Sequence, residues 1–376
     1  MVYMKKVVVL GGGFTGCVLA NELTKKNYQV TLIEKEEYLG GGCRTFFYGG
    51  HPYTNGPRPL TFEYGTAEEY EKVSSYIGEI VPMRKIELLM DTYIERDSSF
   101  YTYPIHEDDI KRMPDREKIY EELANRPKNS QFANFEEGWI NSVGETLYDK
   151  YVKNYTQKMW GVKDNSIFND YNWSVKKTPT AKDPIRKGSH VAELASYPIE
   201  STGFNKFFDY CVRDTDVRLG CEVEHVDLDK KEVHVKGEVI SADIIISTIG
   251  IDDLFGNCYG ELAYMGRDFI KLVLPVEHVF KDNHSFLYYP NSEPFTRVVE
   301  YKNLTQHKSD STLIILEVPS HSNKLYVYNT IEQKNLFAKY QAELPEDVYS
   351  IGRLGTYSYA SITECILNVW KLMERF

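Results

Sequence analysis

The sequence predicts an α/β protein: a parallel-sheet core, interrupted by a helical insertion and joined to an antiparallel β-sheet domain. Three observations carry this. KKVVVLGGGFTGCVLANELTKKNYQVTLIEKEEYLGGG (5–42) reads as apolar strand, glycine turn, amphipathic helix and second apolar strand, a βαβ unit. From Ile110 to Trp160 capping-type Asp, Asn and Glu residues punctuate helical patterns. Phe269 to Glu317 alternates apolar and polar residues, as half-buried antiparallel strands do. A chain of 376 residues exceeds what one core of ordinary size organises, so two or three packed units are expected.

Taken in order, Val7–Leu10 reads as a buried parallel strand, Gly11–Gly16 as a turn, Cys17–Lys26 as a helix and Val30–Glu34 as the second strand. Tyr64–Gly78 reads as helix and Arg84–Pro104 as short strands. Val162–Ser196, rich in Lys, Pro, Ser and Asn, reads as a loop able to move. Thr202–Arg213 is helical in pattern, a hairpin turns near Asp229–Lys231, and Ile244–Ser247 returns to a buried strand. Ile331–Ala342 reads as helix, and Val348–Phe376 as a strand, a turn and a closing helix. The expected division assigns 1–63, 200–260 and 345–376 to the nucleotide-binding α/β domain. It assigns 64–82 and 105–165 to a helical domain, and 83–104, 166–199 and 261–344 to an antiparallel sheet domain with the mobile loop.

Composition excludes several classes. A net charge of −11 without a long basic run argues against nucleic acid or an anionic membrane surface as partner. No apolar run approaches the roughly 18 residues of a membrane span, and the start lacks a signal-peptide pattern, so a cytoplasmic protein is expected. The six cysteines contain no C-x-x-C pair and fit neither a zinc site nor a disulfide scaffold, so reduced thiols and no metal site are expected. The 29 tyrosines suit sugar and base rings as well as ordinary half-buried positions.

Gly11, Gly13 and Gly16 fit G-x-G-x-x-G between strand and helix. The first glycine permits the turn, the second lets a pyrophosphate approach, and the third lets helix and strand close together. The helix N-terminus offers amides to phosphate, and Phe14 and Thr15, in the turn that leads into it, join the expected cofactor site. Glu34, followed by Lys35, ends the second strand where a carboxylate accepts from ribose hydroxyls. Three further features favour FAD over NAD. A second glycine turn follows at Gly40–Gly42; IIISTIG places Thr248 after an apolar strand; and Arg353 lies in a Gly-Arg turn before the last helix, able to pair with the pyrophosphate. The expected core is thus a FAD-binding Rossmann-like domain.

The chain at this point resembles the UDP-galactopyranose mutases and related nucleotide-sugar pyranose–furanose mutases. The likeness lies in GGGFTGCVLANEL…VTLIEKEEYLGGG, SVGETLYDKYVKNYTQKMWG, PFTRVVEYK, KNLFAKYQ and IGRLGTYSYASI, and covers most of the chain. The block Tyr155–Gly161 is the most specific, since generic FAD binding gives it no role. The resemblance implies a redox-neutral isomerase whose substrate is a nucleotide-diphosphate sugar. Its FAD must be reduced, by NAD(P)H or, in vitro, dithionite, so that flavin N5 attacks the anomeric carbon. A homodimer and a part in surface polysaccharide synthesis are implied too. It implies diphosphate contacts from Arg297, Tyr328 and Tyr359, and base stacking by Tyr155. Trp160 falls near the reacting sugar, with Asn154 and Tyr103 also on the substrate. Gly41, Gly42, Arg58, Val223, Ser361 and Ile362 join the cofactor site. The second diphosphate cation is Lys177 or Arg186, both in NWSVKKTPTAKDPIRKGSH.

Some stretches depart from the family pattern. NGPRPLTF puts Arg58 where a G-A-H-x-x-H run has its first His, with His51 nearby in sequence, and Ser361 replaces an acid. The expected PVGGY turn is IESTGF. These changes fall where sugar and base would be read, so the implied substrate is a nucleotide sugar other than UDP-galactose: another hexose, a 6-deoxyhexose or a heptose. The rival readings are a FAD-dependent amine oxidase or desaturase, and a non-catalytic binding protein like the GDP-dissociation inhibitors.

Overall fold

The computed structural model describes residues 4–61, 66–127, 132–169, 185–281 and 284–376. The chain forms two compact units, Met1–Ile86 with Ala195–Ala263 and Asn335–Phe376, and Glu87–Leu194 with Tyr264–Lys334.

In the first unit five parallel strands lie in the spatial order Val348–Ser350, Ile244–Ser247, Lys6–Leu10, Gln29–Ile33, Asp216–Arg218. Side chains alternate across the sheet. Val7, Val9, Val30, Leu32, Ile244 and Ile246 face a core built with helices Phe14–Lys25, Ala67–Gly78, Asn205–Cys211 and Ile362–Met373. Val8, Leu10, Ile33, Ile245 and Val348 face the other core, closed by Val226, Val233 and Val235 of a three-stranded antiparallel meander. Both faces are covered, which is why these strands read as continuous apolar runs. The hairpin near Asp229–Lys231 joins His225–Asp227 to Glu232–Val235, as the sequence predicts.

The first helix starts at Phe14, three residues before its predicted start. Gly16 therefore lies inside the helix, and a Cβ there would sit 1.9 Å from the Gly11 carbonyl oxygen. Close approach of two backbones, not turn geometry, is what this glycine supplies.

In the second unit the sheet runs Tyr326–Val327, Tyr264–Leu274, Thr312–Ser320, Arg297–Glu300, His284–Tyr288, then Met83–Ile94 with Ser99–Thr102 beside it. Two expectations are corrected. Arg84–Pro104 holds one 12-residue strand, a 3-10 turn and a short strand, where several short strands were expected. The sheet is not wholly antiparallel either, since His284–Tyr288 pairs in parallel with Leu89–Thr92. The predicted 162–196 loop contains, in its described part, a 3-10 turn at Asn165–Ile167 and most of a strand, Glu193–Pro198. Helices Glu107–Arg112, Arg116–Ala124 and Phe135–Val143 form the insertion with Glu145–Tyr148, which passes through a π-helical turn, Asp149–Lys153, into Asn154–Trp160.

Candidate functional site

The glycine motif of the first unit builds a cradle from main chain. Gly11 has φ +95°, and a Cβ there would meet Thr248 Oγ1 at 2.4 Å. Thr248 Oγ1 donates to the Leu10 carbonyl at 2.9 Å, which ties its strand end to the turn. Beside Gly13 the space is open, with no atom within 4 Å of a Cβ position. Gly13 caps the 12-residue helix without a side-chain hydrogen bond, and no acidic residue stands in the first turn. An uncapped helix start beside open space fits a pyrophosphate. The second glycine turn comes directly against the first: Gly40 N donates to Gly12 O at 2.8 Å, and Gly13 and Gly40 form a parallel bridge.

Glu34 is buried, and its Oε2 accepts from Gly12 N at 2.6 Å and its Oε1 from Glu36 N at 2.9 Å. Each carboxylate oxygen keeps a second lone pair for a ribose hydroxyl. Arg58 donates through Nε to Gly42 O at 3.2 Å, so it belongs to the rim of this cradle. Gly352 lies against Thr15, where a Cβ would be 3.1 Å from Thr15 Oγ1, and brings Arg353 to the same end of the sheet. The Arg353 guanidinium lies over the Tyr359 ring at 4.5 Å.

Other predicted cofactor residues are placed differently. The Phe14 ring is core, stacked with Phe207 at 5.3 Å and edge-on to Phe208. Only its main chain faces the cradle's helix start. Lys35 is exposed and Val223 is half-buried on the meander side. Ser361 caps the last helix in a capping box: its hydroxyl accepts from Glu364 N at 3.1 Å and its own N–H donates to Glu364 Oε2 at 2.7 Å. With both groups engaged in the box, the helix-start amides of Ile362 and Thr363 are what this end offers a ligand.

The second unit contains a different kind of site. Arg297 donates through Nε to Glu317 Oε2 at 2.9 Å, and its terminal nitrogen lies 2.7 Å from the same oxygen. Arg267 donates to that oxygen as well, and to Met159 Sδ at 2.9 Å. Sheet register explains the meeting: Arg297 is directly opposite Glu317, and Arg267 is opposite Pro319, which puts it diagonal to Glu317. All three side chains are buried. Burial disfavours both guanidinium charges; Glu317 together with Tyr326 and Tyr155 outweighs it and raises both above the ordinary arginine value. Two cations share one anion, so the cluster carries a surplus positive charge in a dry setting. Such a surplus favours an incoming anion.

Aromatic rings surround this cluster. Tyr155 and Tyr103 both touch the Tyr288 ring, at 5.5 and 5.0 Å, and Tyr288 lies directly opposite Arg297 in the ladder. Trp160 is edge-on to Tyr328 at 5.2 Å, and Tyr328 donates its hydroxyl to the Trp160 carbonyl at 2.5 Å. Lys158, in the same helix, donates to the carbonyls of Tyr289, Asn291 and Glu293 at 2.8, 3.1 and 2.6 Å. It thereby bolts the Tyr155–Trp160 helix to the loop that leads into Arg297. Asn154 is exposed, apart from its buried neighbour Tyr155. Arg186 is not brought to Arg297 here; its guanidinium donates to the Val191 carbonyl. Lys177 lies outside the described residues. Sequence reading missed Arg267, Glu317, Tyr288 and Lys158. A charged residue on the inward face of an alternating strand was the available signal for the first two.

Fold and cradle define the class: a Rossmann-like dinucleotide-binding α/β protein with an added helix-and-sheet unit. The model of an NAD(P)-binding Rossmann-like domain matches residues 9–77. The UDP-galactopyranose mutase model matches residues 150–359, more than half of the chain, and the chain belongs to that family of pyranose–furanose mutases. The UDP-galactopyranose mutase of Mycoplasma pneumoniae is 25% identical over 96% of this chain and 93% of its own length. The dTDP-fucopyranose mutase of Escherichia coli is 22% identical, covering 96% of each chain. A crystal structure of reduced UDP-galactopyranose mutase shares the fold, with a TM-score of 0.84 over 99% of this chain and 95% of that one, at 19% identity. Among the described residues no helix is long and apolar enough to cross a membrane.

Proposed function

We propose that the protein is a FAD-dependent mutase that interconverts the pyranose and furanose forms of a nucleotide-diphosphate sugar. The observation that carries this reading is the buried Arg267–Glu317–Arg297 cluster, with its surplus positive charge beside Tyr155, Tyr288 and Tyr326. FAD, bound in its reduced form, supplies an electron-rich ring nitrogen able to attack an anomeric carbon. Gly11, Gly13 and Gly41 would give it main-chain approach, Glu34 would accept from its ribose, and Arg353 would pair with its pyrophosphate. Arg297 follows the charge that grows on the diphosphate as its bond to the sugar breaks. Arg267 keeps the shared carboxylate from cancelling that charge, so Arg297 retains its pull on phosphate. Tyr359 offers its hydroxyl to the diphosphate, Tyr328 does so on exchanging its bond to the Trp160 carbonyl for one to phosphate, and Trp160 walls the sugar. Arg186 or Lys177 is the second diphosphate cation.

The preferred substrate is a nucleotide sugar other than UDP-galactose. The likeness to a dTDP-fucopyranose mutase supports a 6-deoxyhexose among the candidate hexoses and heptoses. A cytoplasmic homodimer serving polysaccharide synthesis, with an external reductant, goes with this reading. The test is direct. Purified protein is examined for a flavin spectrum, reduced with dithionite, and offered a panel of nucleotide sugars while NMR follows ring size. Conversion of at least one sugar, dependent on reduction, is expected. Failure with every sugar, together with steady oxygen consumption on an amine, would replace the mutase reading by an oxidase.

A further inference from the structure

A second cluster of ligating side chains lies in the second unit, outside the arginine site. His106 is buried at the start of helix Glu107–Arg112, with Nδ1 accepting from Asp108 N at 3.2 Å. That bond puts the proton of the neutral ring on Nε2 and occupies the Nδ1 lone pair, so an ion at Nδ1, 3.7 Å from Asp108 Oδ2, would take the place of the Asp108 N–H. His190 stacks on His106 with centroids 3.9 Å apart. Its Nδ1 pairs with Thr102 Oγ1 at 3.0 Å, and its Nε2 also lies 3.7 Å from Asp108 Oδ2. The other Asp108 oxygen is held by Lys111 at 2.8 Å. Two imidazole nitrogens and a carboxylate oxygen thus lie within 4.8 Å of one another. Two of the three ligands are already steadied through their other polar atom, His190 by a hydroxyl and Asp108 by an ammonium, as supporting groups do at metal centres.

Ligands at zinc-type distances stand about 3.2–3.4 Å apart in a tetrahedral set. The two 3.7 Å separations are close to that. His190 and Asp108 are roughly half-exposed, so the remaining adjustment falls on them, with the His190 ring turning out of its 22° stack on His106 to aim Nε2 at the ion. The ligand types suit borderline ions and not calcium or magnesium, which take oxygen.

We propose that His106, Asp108 and His190 form a site for one divalent transition ion of the zinc and cobalt class. The ion ties the start of helix Glu107–Arg112 to the segment that carries Arg186. That segment already meets it through Arg186 N to Ile105 O and Glu107 N to Arg186 O, both 2.9 Å. The site was invisible in the sequence because His190 is brought to the other two only by the fold.

The test uses untagged, chelator-treated full-length protein titrated with Co²⁺ and followed by its visible d–d absorption, then back-titrated with Zn²⁺. One equivalent of Co²⁺ is expected to bind and to be displaced by Zn²⁺. Affinity is expected to fall at least about tenfold in His190→Ala and in Asp108→Asn. Circular dichroism and melting of both variants verify that they fold, which exposed positions permit. Failure to bind an equivalent, or wild-type binding by either folded variant, overturns the proposal. No step needs flavin or sugar turnover, so the outcome is independent of the mutase reading.

Discussion

The glycine cradle and the arginine cluster receive anions by opposite means. The cradle has no charged side chain in its helix's first turn and offers amides fixed by strand and helix geometry. The cluster offers full charges, two guanidiniums on one carboxylate, fixed by the register of three strands. A main-chain site depends on the absence of side chains and fails when a Cβ is added. A side-chain site depends on balance and fails when one charge is left without its partner.

The sharpest way to break this contrast is Gly16→Ala. Its methyl group would collide with the Gly11 carbonyl oxygen at 1.9 Å, backbone against backbone, with no flexible side chain to yield. The cradle cannot form as described. Flavin content per chain, read from the absorbance of purified protein, is expected to drop at least tenfold, on the order of the loss of a central binding contact. Full flavin occupancy in this variant would mean that the cofactor does not rest on this turn.

On the other side of the comparison, Glu317→Gln keeps shape and removes the anion that both Arg267 and Arg297 hold. Two uncompensated buried cations are then left, at a cost of about 3–5 kcal/mol in urea unfolding. Added nucleoside diphosphate is expected to restore part of that loss, since it supplies the missing negative charge. Arg297→Lys inverts the emphasis: a point charge replaces a fork, stability changes little, and turnover falls on the order of 10²–10³. Unchanged turnover in that variant would remove Arg297 from the diphosphate site.

This contrast also explains what could be read in advance. The cradle is built within one βαβ unit, so Gly11, Gly13, Gly16 and Glu34 announce themselves by spacing alone. The strand Glu193–Pro198 did not, because Lys, Pro and Ser flank it and its pairing comes from Leu60–Thr61, far away in sequence. Arg297 was recognisable through its surrounding motif, yet Arg267 and Glu317 were not. Their meaning arises only when strands Tyr264–Leu274 and Thr312–Ser320 take one register out of several, and a slip of one residue would turn each to the other face. Ser361 shows the reverse error. Its position in a cofactor motif suggested a ligand contact, whereas S-x-x-E before an apolar run was already a capping box.

A smaller effect separates charge from scaffold at Lys158. Burial pushes its ammonium down to about 8, partly opposed by Glu293. The unfolded side chain titrates near 10.4. Between these values the unfolded chain binds more protons than the folded one, so this group's contribution to stability rises with pH across about 8 to 10.4 and is flat below it. Wild type is therefore expected to gain about 1–2 kcal/mol relative to Lys158→Met on going from about pH 7.5 to 9.5 in urea unfolding. Parallel pH profiles would show that Lys158 is not depressed, and that its three carbonyl partners outweigh its burial.

The smallest effect decides what Ser361 is for. If the hydroxyl serves only as the N-cap of Ile362–Met373, Ser361→Ala costs about 1 kcal/mol of stability and leaves flavin affinity as it was. Ser361→Asp keeps a capping oxygen and should restore the stability, while adding a negative charge at the helix start that a bound pyrophosphate would oppose. The pair of variants therefore separates two roles that one substitution would confound. Stability following the cap, with flavin content constant in the alanine variant, assigns Ser361 to the scaffold of the cradle. A flavin loss in Ser361→Ala beyond the change in folding would return the hydroxyl to the cofactor and make this end of the cradle, unlike the glycine turn, a side-chain site.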